Sequence, residues 1–128
     1  MKIGDVITRQ RTFTNQEILL FGELTRNAGL VHQIPDELGR LMVQGLLTAS
    51  LLTEIGGELN LLAREMNFIF LRPVYSGDII TCVLKIDNLQ QMSKVTKIWV
   101  SWEFINQNKE PVLTGNGEGI LVSGKEQL

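Results

Sequence analysis

Cysteine occurs once in this sequence, at Cys82, so no internal disulfide can form. Histidine also occurs once, at His32, and no zinc-type Cys/His cluster is present. Charge is sparse: 20% of residues are charged and the net charge is −2. That excludes a general electrostatic pull toward nucleic acid or anionic lipid. Disorder is excluded too, because 44% of residues are hydrophobic and the net charge is small. The start, Met1-Lys-Ile-Gly-Asp-Val, carries a charge with no apolar run behind it, so no signal peptide is expected. At 128 residues one domain over 1–128 is expected, in a soluble cytoplasmic protein.

What the chain does have is one densely apolar stretch, from Gly39 to Gly57. Between residues 41 and 55 it has no proline and one glycine, Gly45. Its apolar residues, among them Leu41, Leu47, Leu51 and Ile55, fall on most sides of a helical wheel. A helix apolar nearly all round is buried on most sides. At about 1.5 Å per residue it is roughly 22 Å long, too short for a bilayer core of ~30 Å. The pattern predicts a central helix wrapped by a sheet, with Gly56-Gly57 as its stop.

The rest of the chain supplies that sheet. Residues 6–13 are expected as a first strand. Thr14 and Glu17 have capping-box spacing, and Phe13 and Ile18 are placed for a hydrophobic staple. Ile18, Phe21, Leu24 and Ala28 then share a helical stripe, with Gly29 as the expected stop. Residues 30–38 form a connector that holds His32. Residues 58–65 are expected as a packed link. Residues 66–73 form a short apolar run ended by proline. Residues 79–87 alternate, with Ile80, Cys82, Leu84 and Ile86 on one face. Residues 94–105 do so again, with Ile98, Val100, Trp102 and Phe104 inward; Trp99 lies on the opposite face and is available for a subunit contact. A last strand is expected over 112–123, where Gly115, Gly117 and Gly119 indicate a bulge or a close backbone approach. Helices followed by strands predict an α+β protein with an antiparallel sheet. One sheet curled around one long helix is the hot dog arrangement.

Three segments resemble the MaoC-like family of hot dog proteins, whose best-known members are (R)-specific enoyl-CoA hydratases. Phe21-Gly-Glu-Leu-Thr-Arg-Asn-Ala-Gly-Leu-Val-His32 is similar to the family's F-A-x-L-S-G-D-x-N-P-x-H. Val43-Gln-Gly-Leu-Leu-Thr-Ala-Ser-Leu-Leu-Thr53 is similar to A-H-G-M-L-x-A-S-L-x-S. Phe68-Ile-Phe-Leu-Arg-Pro-Val-Tyr-Ser-Gly-Asp78 is similar to F-x-x-P-V-x-x-G-D. The resemblance implies reversible hydration of a trans-2-enoyl thioester carried by CoA or by an acyl carrier protein. No metal, flavin or nicotinamide takes part in that reaction. It further implies a homodimer or higher homo-oligomer with sites at or near the interface.

Family roles carry over by position. His32 takes the place of the catalytic His, and Gly45 that of the glycine whose N–H polarises the thioester carbonyl. The catalytic Asp falls on Asn27. Gln44 stands for the family's helix His, Thr53 for a site-lining Ser and Gly29 for an Asn. These three are the expected substrate-binding positions. Hydration needs one group to take a proton from water and one to give a proton to the α-carbon. An amide cannot accept that proton at neutral pH; an imidazole can. Two alternatives therefore stand beside the hydratase. One is a weakly active or inactive thioester-binding subunit of a heteromer. The other is a hot dog thioesterase, for which Glu54 is the carboxylate within the central helix.

Overall fold

The computed structural model describes residues 1–122. Five antiparallel strands form one sheet in the order β1-β3-β4-β5-β2. They are β1 (Val6–Thr12), β2 (Leu61–Phe70), β3 (Ile79–Gln91), β4 (Val95–Ile105) and β5 (Pro111–Val122). The helices are α1 (Asn15–Thr25), a 3₁₀ turn at Leu30–His32, α2 (Gly45–Ala49) and α3 (Leu51–Leu59). The curved sheet packs around α2 and α3, which is the hot dog arrangement expected from the element order.

Alternation along the strands decides what the sheet buries. Ile80, Cys82, Leu84 and Ile86 of β3 are buried, as are Ile98, Val100, Trp102 and Phe104 of β4. Leu47 of α2 and Leu51, Leu52 and Ile55 of α3 pack against them. Burial pushes the Cys82 thiol up to about 12, so it stays protonated at neutral pH and behaves as a small core hydrophobe.

The entry to α1 follows the sequence closely. The Thr14 hydroxyl accepts the Glu17 N–H at 3.1 Å, and the Glu17 carboxylate accepts the Thr14 N–H at 3.0 Å. Phe13 and Ile18, the staple pair, are both buried. The Thr14 backbone N–H, joined by the Arg11 guanidinium, holds the Glu17 carboxyl below its ordinary range. Thr14→Ala is expected to cost about 1 kcal/mol, which thermal unfolding would register as a fall of roughly 4 °C in Tm. An unchanged Tm would show that the cap contributes nothing.

Several boundaries differ from the sequence expectation. α1 ends at Thr25 and is capped by Arg26, in the left-handed conformation at φ 59°, and does not run on to Gly29. Its last carbonyls are taken by the Arg26 and Asn27 N–H groups, which closes the helix early. The central helix starts at Gly45 and not at Leu41. Residues 41–43 are extended, because Leu41 and Val43 exchange backbone bonds with Ser76 and Val74.

Gly56-Gly57 does not stop the helix, which runs to Leu59 and is capped by Asn60 at φ 52°. A helical glycine costs about 1 kcal/mol, whereas burying each of Leu51, Leu52 and Ile55 gains roughly 1.5–3 kcal/mol. The packing wins. The expected link over 58–65 is therefore the helix end followed directly by β2. β5 ends at Val122, and Ser123, the expected last residue of that strand, lies outside the described residues.

Ser50 joins α2 to α3 in a right-handed conformation (φ −63°, ψ −13°), with its hydroxyl donating to the Leu47 carbonyl. Among the described residues no helix is long and apolar enough to cross a membrane.

Candidate active site

The C-terminal turn of α1 places Asn27. Its N–H donates to the Gly22 carbonyl at 2.9 Å. Its side chain then folds onto the next turn, where Oδ1 accepts the Gly29 N–H at 3.0 Å. This leaves Nδ2, a donor, as the outward end of the amide.

His32 ends the 3₁₀ turn. Backbone bonds hold that turn at both ends: the His32 N–H donates to Gly29 and the Met42 N–H donates to Val31. The His32 Nδ1 lies 2.6 Å from the Met42 carbonyl oxygen. A carbonyl only accepts, so Nδ1 carries a proton, and in the neutral imidazole the lone pair is then on Nε2. The pairing of residues 41–43 with 74–76 fixes the Met42 carbonyl, and with it the imidazole.

Gly29 brings these two side chains together. A Cβ added there would lie 3.2 Å from Asn27 Oδ1 and 3.2 Å from His32 Cδ2. Any side chain at Gly29 would press on both.

Gly45 opens α2. Its N–H belongs to the first helical turn and has no acceptor within the helix. The N-cap residue, Gln44, makes no side-chain cap. A Cβ at Gly45 would stand 2.7 Å from Phe70 Cε1, so the glycine lets the Phe70 ring approach the helix start closely.

Gln44 is buried at 3% exposure, and its side chain turns toward α1. Nε2 donates to the Ile18 carbonyl at 2.9 Å. Because that partner is an acceptor, the nitrogen must face it, which fixes Oε1 on the other side. Oε1 is buried and has no hydrogen-bond partner. An orphan acceptor of this kind costs roughly 1–3 kcal/mol.

Asn27, His32, Met42, Gln44 and Gly45 line one cavity of about 720 Å³, together with Thr48, Phe70 and Arg72. Its size suits a small-molecule site. Thr53 lies elsewhere. It lines a second cavity, of about 430 Å³, between α3 and the sheet, with Gly56, Gly57, Trp102 and Gly117. Glu54 is half exposed and faces Arg9, with Oε1 3.7 Å from Arg9 Nε. It lines neither cavity.

The Met42 carbonyl, Phe70 and Arg72 were not legible as site components. Met42 and Phe70 lie on extended segments and Arg72 at a bend, and their neighbours come from distant parts of the chain. The proline that ends the apolar run at Pro73 was the one local signal available.

No protein-family model and no curated protein matches this sequence. Solved structures do. An (R)-hydratase from A. caviae involved in PHA biosynthesis is 20% identical, with TM-score 0.82 over 95% of this chain and 97% of that one. The R-hydratase PhaJ1 from Pseudomonas aeruginosa is 16% identical, with TM-score 0.82 over 98% of this chain and 84% of that one. A MaoC-like dehydratase from Rhodospirillum rubrum is 12% identical, with TM-score 0.77 over 98% of this chain and 95% of that one. This chain therefore shares the hot dog fold of those hydratases and dehydratases.

Proposed function

We propose that the chain is a MaoC-like acyl-thioester hydro-lyase. It adds water reversibly, with (R) stereochemistry, across the double bond of a trans-2-enoyl thioester of CoA or of an acyl carrier protein. The observation that carries this reading is the His32 tautomer. Nδ1–H is committed to the Met42 carbonyl, which leaves Nε2 as a base in a cavity that Gly45 also lines. Shared fold and the three sequence segments support the same reading.

In this scheme the thioester carbonyl accepts from the Gly45 N–H. That donor stabilises the negative charge that develops on the oxygen as water attacks C3. His32 Nε2 takes the water proton and returns one to C2. The second cavity, lined mainly by apolar side chains and glycine, receives the acyl chain, with Thr53 at its wall. A second copy pairs along β2, an edge strand with Met66, Ile69 and Phe70 exposed.

The test is to mix the purified protein with crotonyl-CoA and follow loss of the conjugated enoyl absorbance. Steady loss with the thioester intact is expected. Release of free thiol would instead make the chain a thioesterase.

One observation favours a second reading, a non-catalytic thioester-binding subunit. Asn27 Oδ1 is spent on Gly29, so the amide offers the site only a donor. Binding of crotonyl-CoA without turnover would select that reading.

A further inference from the structure

The two cavities follow one another along the inner face of the sheet. Antiparallel register sets Phe70 opposite Leu113, Phe68 opposite Gly115 and Met66 opposite Gly117. Trp102 flanks Gly115 from the other side, on β4. Phe70 and Leu113 line the cavity of His32, whereas Met66, Gly117 and Trp102 line the cavity of Thr53. Phe68 lines neither, and its row lies between theirs. On the helix side Thr48 lines the first cavity and Leu52, one turn on, lines the second. One half-buried aromatic ring on the sheet and one helical turn therefore separate the two spaces.

The spacing across that divide is fixed by three rings. The Phe68 centroid lies 6.1 Å from that of Phe70 and 5.5 Å from that of Trp102. Each step equals about five bonds of an extended chain, at roughly 1.2 Å per bond. Phe70 stands against Gly45, whose N–H takes the thioester carbonyl in the reading above. A chain that starts there meets Phe68 at about its sixth carbon and the Trp102 wall at about its tenth.

The walls of the second cavity also say which end of the ligand enters it. Its charged residues, among the described residues, are Glu65 and Glu118. Two acids disfavour the phosphates of CoA or of a carrier-protein arm. Leu52, Ile55, Ile98 and Val100 favour an apolar tail.

We infer that Phe68 is a specificity-determining residue, and that the substrate is a medium-chain thioester of about ten carbons whose tail passes Phe68 into the second cavity. The inference rests on the thioester reading above and names its substrate class. Short chains end in front of Phe68 and gain nothing from the second cavity.

The experiment reads one ratio: kcat/KM for trans-2-decenoyl-CoA over that for crotonyl-CoA. In the wild type it is expected to be on the order of 100, at about fourfold for each methylene buried past Phe68. Gly56→Leu fills the second cavity from the helix. A Cβ there has room, its nearest neighbour being the Leu61 carbonyl oxygen at 4.0 Å. The ratio should then fall to within a few-fold of one. Phe68→Leu should raise it several-fold, because a smaller side chain stands in the divide. A partly unfolded sample scales both rates together, so lost structure alone does not move the ratio.

The same comparison is made without turnover, as the affinity for decanoyl-CoA over that for butyryl-CoA, neither of which has a double bond to hydrate. Hydration with a wild-type ratio near one overturns the inference and leaves the hydratase reading standing. A ratio that Gly56→Leu leaves unchanged, or that Phe68→Leu lowers, overturns it as well. Absent turnover with tighter binding of decanoyl-CoA, lost in Gly56→Leu, supports the inference and selects the binding-subunit reading. Binding of neither thioester overturns both.

Discussion

Replacing His32 with alanine is expected to slow crotonyl-CoA hydration roughly 10²- to 10⁴-fold. Among the described residues the imidazole is the cavity's only side chain able to take a proton from water near neutral pH: the other polar and charged wall residues are Thr25, Asn27, Gln44, Thr48 and Arg72. The fold should survive. His32 is half-buried, and the turn that carries it keeps its own ties, the Met42 N–H to the Val31 carbonyl at 3.0 Å and the Ile34 N–H to the Leu30 carbonyl at 2.8 Å. What is lost is the bond from Nδ1 to the Met42 carbonyl, worth about 1 kcal/mol. The variant should therefore retain its circular dichroism spectrum and its affinity for butyryl-CoA. A variant that hydrates at the wild-type rate would remove His32 from the mechanism.

Gly115→Ala is expected to destabilise the protein by roughly 3 kcal/mol, a fall of about 10 °C in Tm. A Cβ at this position would stand 1.8 Å from the Asn67 carbonyl oxygen and 2.7 Å from Trp102 Nε1. The first contact is with backbone of the paired strand β2, so no side-chain rotation relieves it. The strands must separate, or the indole must leave a core site where Trp102 is buried against Phe68. Gly57→Ala is the control. A Cβ there meets nothing within 4 Å, and the site is helical. That change should raise stability by up to about 1 kcal/mol. Equal Tm shifts in the two variants would show that the β2–β5 approach is not the constraint.

The two variants also show why one glycine cluster was legible and the other was not. Gly115, Gly117 and Gly119 recur at every second residue of a strand, so they fall on one face, and a close approach was the direct reading. Gly56 and Gly57 read as a stop because local propensity disfavours glycine in a helix. Local propensity lost to the burial of Leu51, Leu52 and Ile55, a term that depends on a sheet whose strands come from both sides of the helix in the sequence. Likewise the capping box at Thr14 and Glu17 was readable because both partners lie three residues apart. The extended run 41–43 was not, because its hydrogen-bond partners lie at 74–76.

By itself the sequence determined the elements whose signals are local. Those are the α1 cap, the inward faces of β3 and β4, the apolar central helix, and hence a sheet curled around it. It also determined which residue types are available for chemistry: one imidazole, an amide at Asn27 and a glycine at the start of α2. Only the tertiary structure decided what those groups can do. The Met42 carbonyl sets the His32 tautomer, the Gly29 N–H turns Asn27 into a donor, and the Ile18 carbonyl fixes which way the buried Gln44 amide faces. Each of those partners is a backbone atom. Backbone N–H and carbonyl groups are the same at nearly every position of a sequence, so their chemistry becomes specific only when folding fixes where they point.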